Sequence, residues 1–322
     1  MPRILVAGKI HADGLARLRE AAGFTLDVVE EVSTASYAPR VANADAILIR
    51  TQPLPAEVIA AAKRLRIVSR HGVGYDAVDV ETLNRLRIPL CIVGDVNSRA
   101  VAEHTLMLML AAARRTVALD HAARTGGWNE RNRFDATELD GKTLLILGFG
   151  RIGRRVAELA RAFGMEIIVH DPFVTPEACA ALGVKSAPDM AEGLARADVI
   201  TLHMPASPAG PVITAARLAA MKPTAILVNA ARGDLVDEAA LDQALRNGSL
   251  RAAALDVLAE EPPPAAHPLL TNPRLTLSPH NAGLTAECAA RMAVMSARNI
   301  IDFFAGRLDP ALVVNRREIG LQ

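Results

Sequence analysis

The chain has 322 residues, 51% of them hydrophobic, enough for two ordinary domains with sizeable cores. Its 36 Lys plus Arg nearly balance 35 Asp plus Glu, so no global field points to nucleic acid or an acidic membrane, and a small anionic ligand would need local basic residues. Cys91, Cys179 and Cys288 lack paired or metal-type spacing, which predicts free thiols in a reducing compartment and no metal site.

The N-terminal run Ile4-Leu5-Val6-Ala7 is too short for a signal segment and no window approaches a membrane span, so a cytosolic (cytoplasmic) chain is expected. That run opens an alternation of short β-rich runs with helical segments: Ile4 to Ala7, Leu26 to Val29, Ala46 to Ile49, Ile67 to Ser69 and Leu90 to Val93. A long Ala/Leu/Met-rich segment, Arg99 to Arg115, reads as a buried or interface helix. Thr125 to Thr137 is polar and irregular, with Trp128 either a core anchor or a lid residue. A second set of runs follows: Thr143 to Leu147, Glu166 to Val169, Val199 to Leu202, Ala225 to Val228, Ala252 to Leu255 and Leu275 to Leu277. Thr285 to Phe304 has helical apolar spacing, and Leu312-Val313-Val314-Asn315 resembles a short strand or tail.

Between the first run of the second set and the Ala-rich segment after it stands Gly148-Phe149-Gly150-Arg151-Ile152-Gly153. Gly148 can make the tight turn, a Cβ at Gly150 would block a pyrophosphate, and Gly153 lets helix and strand pack closely. The phosphates would meet the helix N-terminus, where unpaired N–H groups and the dipole favour anions. An ordinary turn is the competing reading, and context decides against it: Asp171 ends the next strand 18 residues past Gly153, near the spacing of a ribose-binding acid. Its charge would repel a 2′-phosphate, so NAD is expected rather than NADP. A helix-entry or turn acid before Pro172 is the alternative.

In open parallel α/β sheets ligands gather at the carboxyl ends of strands. Here those ends carry the Gly148 loop, Asp171, His203, Arg232, Asp256 and His280 in turn. Reduction of a 2-oxo acid needs a hydride donor, a proton donor for the forming alkoxide, and cations or N–H dipoles for the carboxylate. His280, in Ser278-Pro279-His280-Asn281-Ala282-Gly283, is the best acid, against a structural histidine at a turn. Glu261, 19 residues upstream in the stiff Glu261-Pro262-Pro263-Pro264 loop, could pair with the imidazolium and keep the proton available. Alone it would be a solvated loop acid.

The planar fork of Arg232 suits a carboxylate with its adjacent ketone, with a surface salt bridge as the bland reading. In Arg70-His71-Gly72-Val73-Gly74-Tyr75-Asp76 the backbone N–H groups of Val73 and Gly74 could approach an anion, unless this is merely a tight turn. Arg50, also at a strand end, is a second candidate anion holder or a surface arginine. His71 remains a candidate. His104, beside Glu103 inside the long helix, reads as a core or interface residue rather than a catalyst.

Taken together these residues resemble the D-isomer-specific 2-hydroxyacid dehydrogenase family from Ile4 to about Asn315. The resemblance rests on Arg70-His71-Gly72-Val73-Gly74, Val101-Ala102-Glu103-His104, Gly148 to Gly153, Leu218 to Pro223, Asn229 to Gly233, Asp256-Val257 with Glu261-Pro262, and Ser278-Pro279-His280. It implies Arg232 for substrate binding and polarisation, Glu261 as the partner of His280, and His280 as acid or base. It also implies Asp256 and the Ala230 carbonyl at the nicotinamide amide, with His203 and Pro205 near the adenosine.

The implied fold is α/β, two Rossmann/flavodoxin-like parallel-sheet domains. A nucleotide-binding domain, 94–282, is inserted into a substrate-binding domain made of 1–93 and 283–322, and the Arg99 to Arg115 helix helps form a homodimer. Phosphoglycerate dehydrogenase and glyoxylate or hydroxypyruvate reductase are the nearest flavours; Glu261 stands where a formate dehydrogenase carries Gln. The chain is shorter than family members with C-terminal regulatory domains, so serine feedback is not expected. Ser207-Pro208-Ala209-Gly210-Pro211 departs from the family's threonine-rich turn.

Other oxidoreductase layouts fit worse. A short-chain type needs Tyr-x-x-x-Lys, but Asp79 follows Tyr75 and Val41 follows Tyr37 at that spacing, and an L-lactate type places its glycine loop near the N-terminus. An NAD-sensing interaction protein that kept this fold, like some corepressors, is the alternative from another class; the intact Arg232, Glu261 and His280 set favours chemistry.

Overall fold

A computed structural model of the chain describes residues 1–21, 23–207 and 209–321. Pro208, in the stretch that departs from the family's threonine-rich turn, lies outside the described residues. The chain divides into two compact units, Met1–Asn97 with Leu284–Gln322, and Ser98–Gly283. Each is built on one wholly parallel sheet, as the α/β alternation predicts.

The first unit holds β1 (Arg3–Ala7), β2 (Thr25–Val29), β3 (Ala46–Ile49), β4 (Ile67–Arg70) and β5 (Leu90–Cys91) in the order β2-β1-β3-β4-β5. Helices cover both faces of a parallel sheet, so its inner strands are continuous apolar runs: all four residues of β3 are buried. One face packs Leu5, Ile47, Ile49 and Val68 with Tyr37 and Leu83, and the other packs Ile4, Val6, Leu48 and Ile67 against Ala293, Ala297 and Ile300 of the Ala286–Phe304 helix. A Cβ on Gly14 would sit 2.7 Å from the Ala293 carbonyl oxygen, so glycine there allows the Ala12–Glu20 helix to lie directly on Ala286–Phe304.

Buried amides tie the C-terminal segment into this unit. The Asn299 side chain donates to the Ile92 carbonyl at 3.0 Å and the Ser69 hydroxyl at 3.3 Å. Asn315, 1% exposed, accepts from the Leu90 N–H at 2.9 Å and donates to the Ile88 carbonyl and the Asn84 side chain. The expected strand or tail at 312–315 is thus a single antiparallel bridge, Val313 to Cys91, after a 3-10 turn at Pro310–Leu312, with a side chain in place of further ladder bonds.

The second unit holds β6 (Thr143–Leu147), β7 (Glu166–His170), β8 (Lys185–Ser186), β9 (Val199–Leu202), β10 (Ile226–Asn229), β11 (Ala252–Leu255) and β12 (Leu275–Leu277), ordered β12-β11-β10-β9-β6-β7-β8. The order reverses between β6 and β9, the kind of switch point beside which nucleotides bind. On one face Leu144, Ile146 and Val228 pack with Leu106, Met109 and Val156; on the other Leu145, Ile200 and Leu227 pack with Leu194, Leu241 and Leu245.

Three local expectations change. Strand β8 is an edge of two residues, too short to register as a run. The long helix is Ser98–Ala113 rather than 99–115, because Arg115 adopts a left-handed φ of +51°. Trp128 is no core anchor: it is 63% exposed, with the Arg131 guanidinium 6.0 Å from its ring centre.

Replacing Asn315 by Leu removes three hydrogen bonds and leaves two buried backbone groups unpaired, so the urea midpoint of the first unit is expected to fall by the equivalent of about 1–3 kcal/mol. An unchanged midpoint would show that the tail is not held through this amide.

Candidate active site

The glycine run forms the turn from β6 into the Arg151–Arg161 helix. Gly148 has φ +91°, and a Cβ there would stand 2.6 Å from the His203 carbonyl oxygen; a Cβ on Gly153 would collide with the Gly148 carbonyl. Turn geometry and close packing therefore account for those two glycines. Gly150 needs neither, since its φ is −75° and a Cβ would meet no atom within 4 Å. It is also the N-cap and makes no side-chain cap, so the first turn, Arg151, Ile152 and Gly153, lacks a side-chain acceptor for its N–H groups, and the space beside Gly150 is open. A pyrophosphate fits that room.

Asp171, just past β7, lies beside the loop: its carboxylate accepts from the Phe149 N–H at 2.6 Å and the Phe173 N–H at 2.8 Å. His203, just past β9, shares a hydrogen bond between its Nε2 and the Thr201 hydroxyl at 3.0 Å. Its buried Nδ1 has no hydrogen-bond partner, and burial lowers its pKa to about 3, leaving a neutral ring. Pro205 follows in an exposed stretch. The residues present fit a dinucleotide.

Strands β10, β11 and β12 pair in register, with Asn229, Leu255 and Leu277 level with one another. Ala230 and Arg232, Asp256, and His280 follow at that edge. The Asn229 amide bridges its own loop, accepting from the Ala231 N–H at 3.0 Å and donating to the Arg232 carbonyl at 2.7 Å. The Arg232 guanidinium donates to the Ala231 carbonyl at 2.7 Å. A Cβ on Gly233 would run into the Leu258 backbone, so the Arg232 loop lies directly against the start of the Glu261 loop.

His280 Nδ1 and Glu261 Oε2 are 2.6 Å apart, with the histidine side chain 55% exposed. Burial raises the Glu261 pKa, but the bond from His280, the Leu258 N–H and the histidine's charge outweigh it and hold the carboxyl below its usual range. A pair this exposed adds little to stability; its consequence is to fix the ring and leave Nε2 free. Glu238 fixes the Glu261 loop from outside, accepting from the Ala259 N–H at 2.7 Å with its other oxygen 3.0 Å from His267 Nε2.

His280 itself is left-handed, φ +48°, a conformation costing roughly 1–2 kcal/mol for a residue with a Cβ. Asp256 answers that cost. Its carbonyl accepts from the His280 N–H at 2.7 Å. Its carboxylate, 1% exposed, accepts from the Ser278 hydroxyl at 2.6 Å and from the Asn281 and Ala282 N–H groups at 3.0 Å each. Burial pushes this carboxyl's pKa up, yet the hydrogen bonds from His104, Ser278, Ala282 and Asn281 pull it below the ordinary range. His104 therefore joins this cluster, with Nε2 2.9 Å from Ser278 Oγ and 3.3 Å from Asp256 Oδ1. The sequence reads His104 as a core or interface residue; its pairing with Ser278, 174 positions away, leaves no local signal.

Arg50, Val73 and Gly74 belong to the first unit. Arg50 follows β3 and donates to the Lys9 carbonyl at 2.7 Å; burial lowers the pKa of its guanidinium. On the neighbouring strand end the Arg70 guanidinium donates to the His71 carbonyl at 3.0 Å, ahead of Val73 and Gly74. His71 is 5% exposed, and burial followed by the charge of Arg50 lowers its pKa to about 4, so it stays neutral near pH 7.

A family model described as the D-isomer specific 2-hydroxyacid dehydrogenase, NAD binding domain, matches residues 106–282. The chain is 39% identical over 310 residues to the D-3-phosphoglycerate dehydrogenase of Methanocaldococcus jannaschii, covering 96% of this chain but only 58% of that relative. It is also 39% identical over 326 residues to the glyoxylate reductase of Aeropyrum pernix, covering 97% of this chain and 96% of the relative. Among solved structures, the TT0316 protein of Thermus thermophilus superposes with a TM-score of 0.88 at 36% identity, covering 96% of this chain and 98% of the other. With a glycine turn open to a pyrophosphate, an acid beside it and these likenesses over nearly all of its length, the chain belongs to the D-isomer specific 2-hydroxyacid dehydrogenase family.

Proposed function

We propose that the protein is an NAD-dependent D-2-hydroxyacid dehydrogenase acting on a small anionic 2-oxo or 2-hydroxy acid of the glyoxylate, hydroxypyruvate or 3-phosphoglycerate type. The observation that carries this is the 2.6 Å pair of His280 and Glu261 at the sheet edge that also bears Arg232. A protein that merely sensed NAD(H) would have no use for such a pair.

A nicotinamide held by these residues would supply the hydride chemistry at the substrate's C2. In the reducing direction His280 gives the proton on Nε2 to the forming alkoxide oxygen, and in oxidation it takes that proton back. Glu261, held ionised by its partners, keeps the ring oriented. Arg232 holds the substrate carboxylate and polarises the ketone. Arg50 and the Val73 and Gly74 N–H groups are assigned to anionic groups of the substrate.

On the cofactor side, Gly148 to Gly153 take the pyrophosphate. Asp171 takes the adenosine ribose hydroxyls and disfavours a 2′-phosphate, the ground for NAD over NADP. His203 and Pro205 are assigned to the adenosine, and Asp256 and the Ala230 carbonyl to the nicotinamide amide. A homodimer is inferred through the Ser98–Ala113 helix, beside which a shallow hollow of about 460 Å³ is lined by Leu106, Met107, Leu110, Ala111, Leu159 and Phe163. The three cysteines are buried and unpaired, in keeping with a cytoplasmic location.

His280→Ala is expected to lower kcat for hydroxypyruvate reduction by about 10²- to 10⁴-fold, the usual share of general acid catalysis, with NADH binding retained by fluorescence titration. Parental turnover in that variant removes His280 from the mechanism. Asp171→Ala should shrink the ratio of kcat/KM for NADH over NADPH; an unchanged ratio refutes the ribose assignment.

A further inference from the structure

The cluster beneath the His280 loop contains a histidine that neither the cofactor nor the substrate chemistry above uses. His104 lies on the Ser98–Ala113 helix with its side chain 15% exposed, and its Nε2 faces two oxygens, Ser278 Oγ at 2.9 Å and Asp256 Oδ1 at 3.3 Å. The Ser278 hydroxyl gives its own proton to Asp256 Oδ1 at 2.6 Å, so both oxygens near His104 present lone pairs. Nε2 must then carry a proton and donate. A buried carboxylate that already accepts from Ser278, Asn281 and Ala282 thereby gains a further donor from a rigid helix.

We propose that His104, acting through Ser278 and Asp256, is a positioning residue for His280. Its bond anchors the 278–282 loop to the long helix and so keeps the left-handed His280 backbone, φ +48°, where Nδ1 meets Glu261. Two features require an anchor. Left-handed backbone in a residue with a Cβ persists only where its surroundings over-determine it. The Asp256 carboxylate can over-determine the loop only while it stays ionised and fixed; a helix-borne donor serves both ends, where a solvent contact would serve neither. Removing the imidazole leaves Asp256 Oδ1, 1% exposed, and the partly buried Ser278 Oγ one donor short, and the loop is the part free to move. The proposal rests on the reading of His280 as the acid and base.

The test compares the parent with His104→Ala, His104→Gln, His280→Ala and the His104→Ala/His280→Ala double variant, using NADH and hydroxypyruvate, with NADH affinity and thermal midpoint measured for each. Displacement of a reacting group by around an ångström costs on the order of 10- to 100-fold in rate. His104→Ala should therefore lose about that much in kcat, with NADH affinity and KM within about threefold of the parent. His104→Gln, whose amide N–H₂ reaches the same oxygens, should recover most of the loss.

In the His280→Ala background, His104→Ala should change kcat by less than about twofold, because the group it positions is gone. Equal losses in both backgrounds, or no loss in His104→Ala, overturn the proposal. Parental activity in His280→Ala instead overturns the reading on which it rests. Should His104→Ala fail to fold, Ser278→Ala takes its place with the same expectations. A readout without turnover is the imidazole ¹H–¹⁵N spectrum: the Nδ1-protonated His280 signal should persist in the parent and His104→Gln and be lost in His104→Ala. Its persistence in His104→Ala counts against the proposal.

Discussion

Strands β10, β11 and β12 leave the sheet at one level because Asn229, Leu255 and Leu277 are paired across parallel ladders. Each strand is only three or four residues long, so the register is held by burial rather than by length: every residue of β10 and β11 is buried. A one-residue slip would turn Leu227 and Val228 each to the opposite face of the sheet, against helices shaped for the other. That constraint brings Arg232, Asp256 and His280 to the same edge although they lie far apart in the chain. The dinucleotide turn obeys the same rule two strands along the sheet, since β9 pairs with both β10 and β6.

The edge is then finished by buried or partly buried carboxylates rather than by apolar packing. Asp256 accepts from the loop that carries His280, and Glu238 holds the loop that carries Glu261, so two fixed acids set the distance at which the exposed pair meets. Desolvation works against ionising Asp256 and Glu261, and in each case hydrogen bonds reverse it. The sign of pH dependence follows: both carboxyls are depressed, so their stabilising contributions are full above the usual carboxylate range and are lost progressively as pH falls from that range through the lowered values.

Much of this was legible in the residues alone. Continuous apolar runs such as Ala46–Ile49 and Val199–Leu202 mark strands buried on both faces, and their ends named Arg232, Asp256 and His280 before any geometry was known. The steric reasons for Gly148 and Gly153, the turn and the close packing, were equally local. Illegible parts were those that depend on partners far along the chain. His104 looked like core because its partners lie on the β12 loop and beyond β11. The 312–315 segment was ambiguous because a single bridge, Val313 to Cys91, and Asn315 side-chain bonds seat it rather than a run of ladder bonds. The two-residue β8 has too little pattern to be seen, and the end of the long helix hinges on one left-handed residue, Arg115.

The most direct measurement is the fate of the hydride. With NADH deuterated at both C4 positions and hydroxypyruvate as substrate, the product should be D-glycerate carrying one deuterium at C2, read by mass spectrometry and chiral separation. NADH that binds yet transfers no deuterium to hydroxypyruvate, glyoxylate or any other 2-oxo acid tried would contradict a dehydrogenase and leave only the nucleotide-binding half of the structure in use.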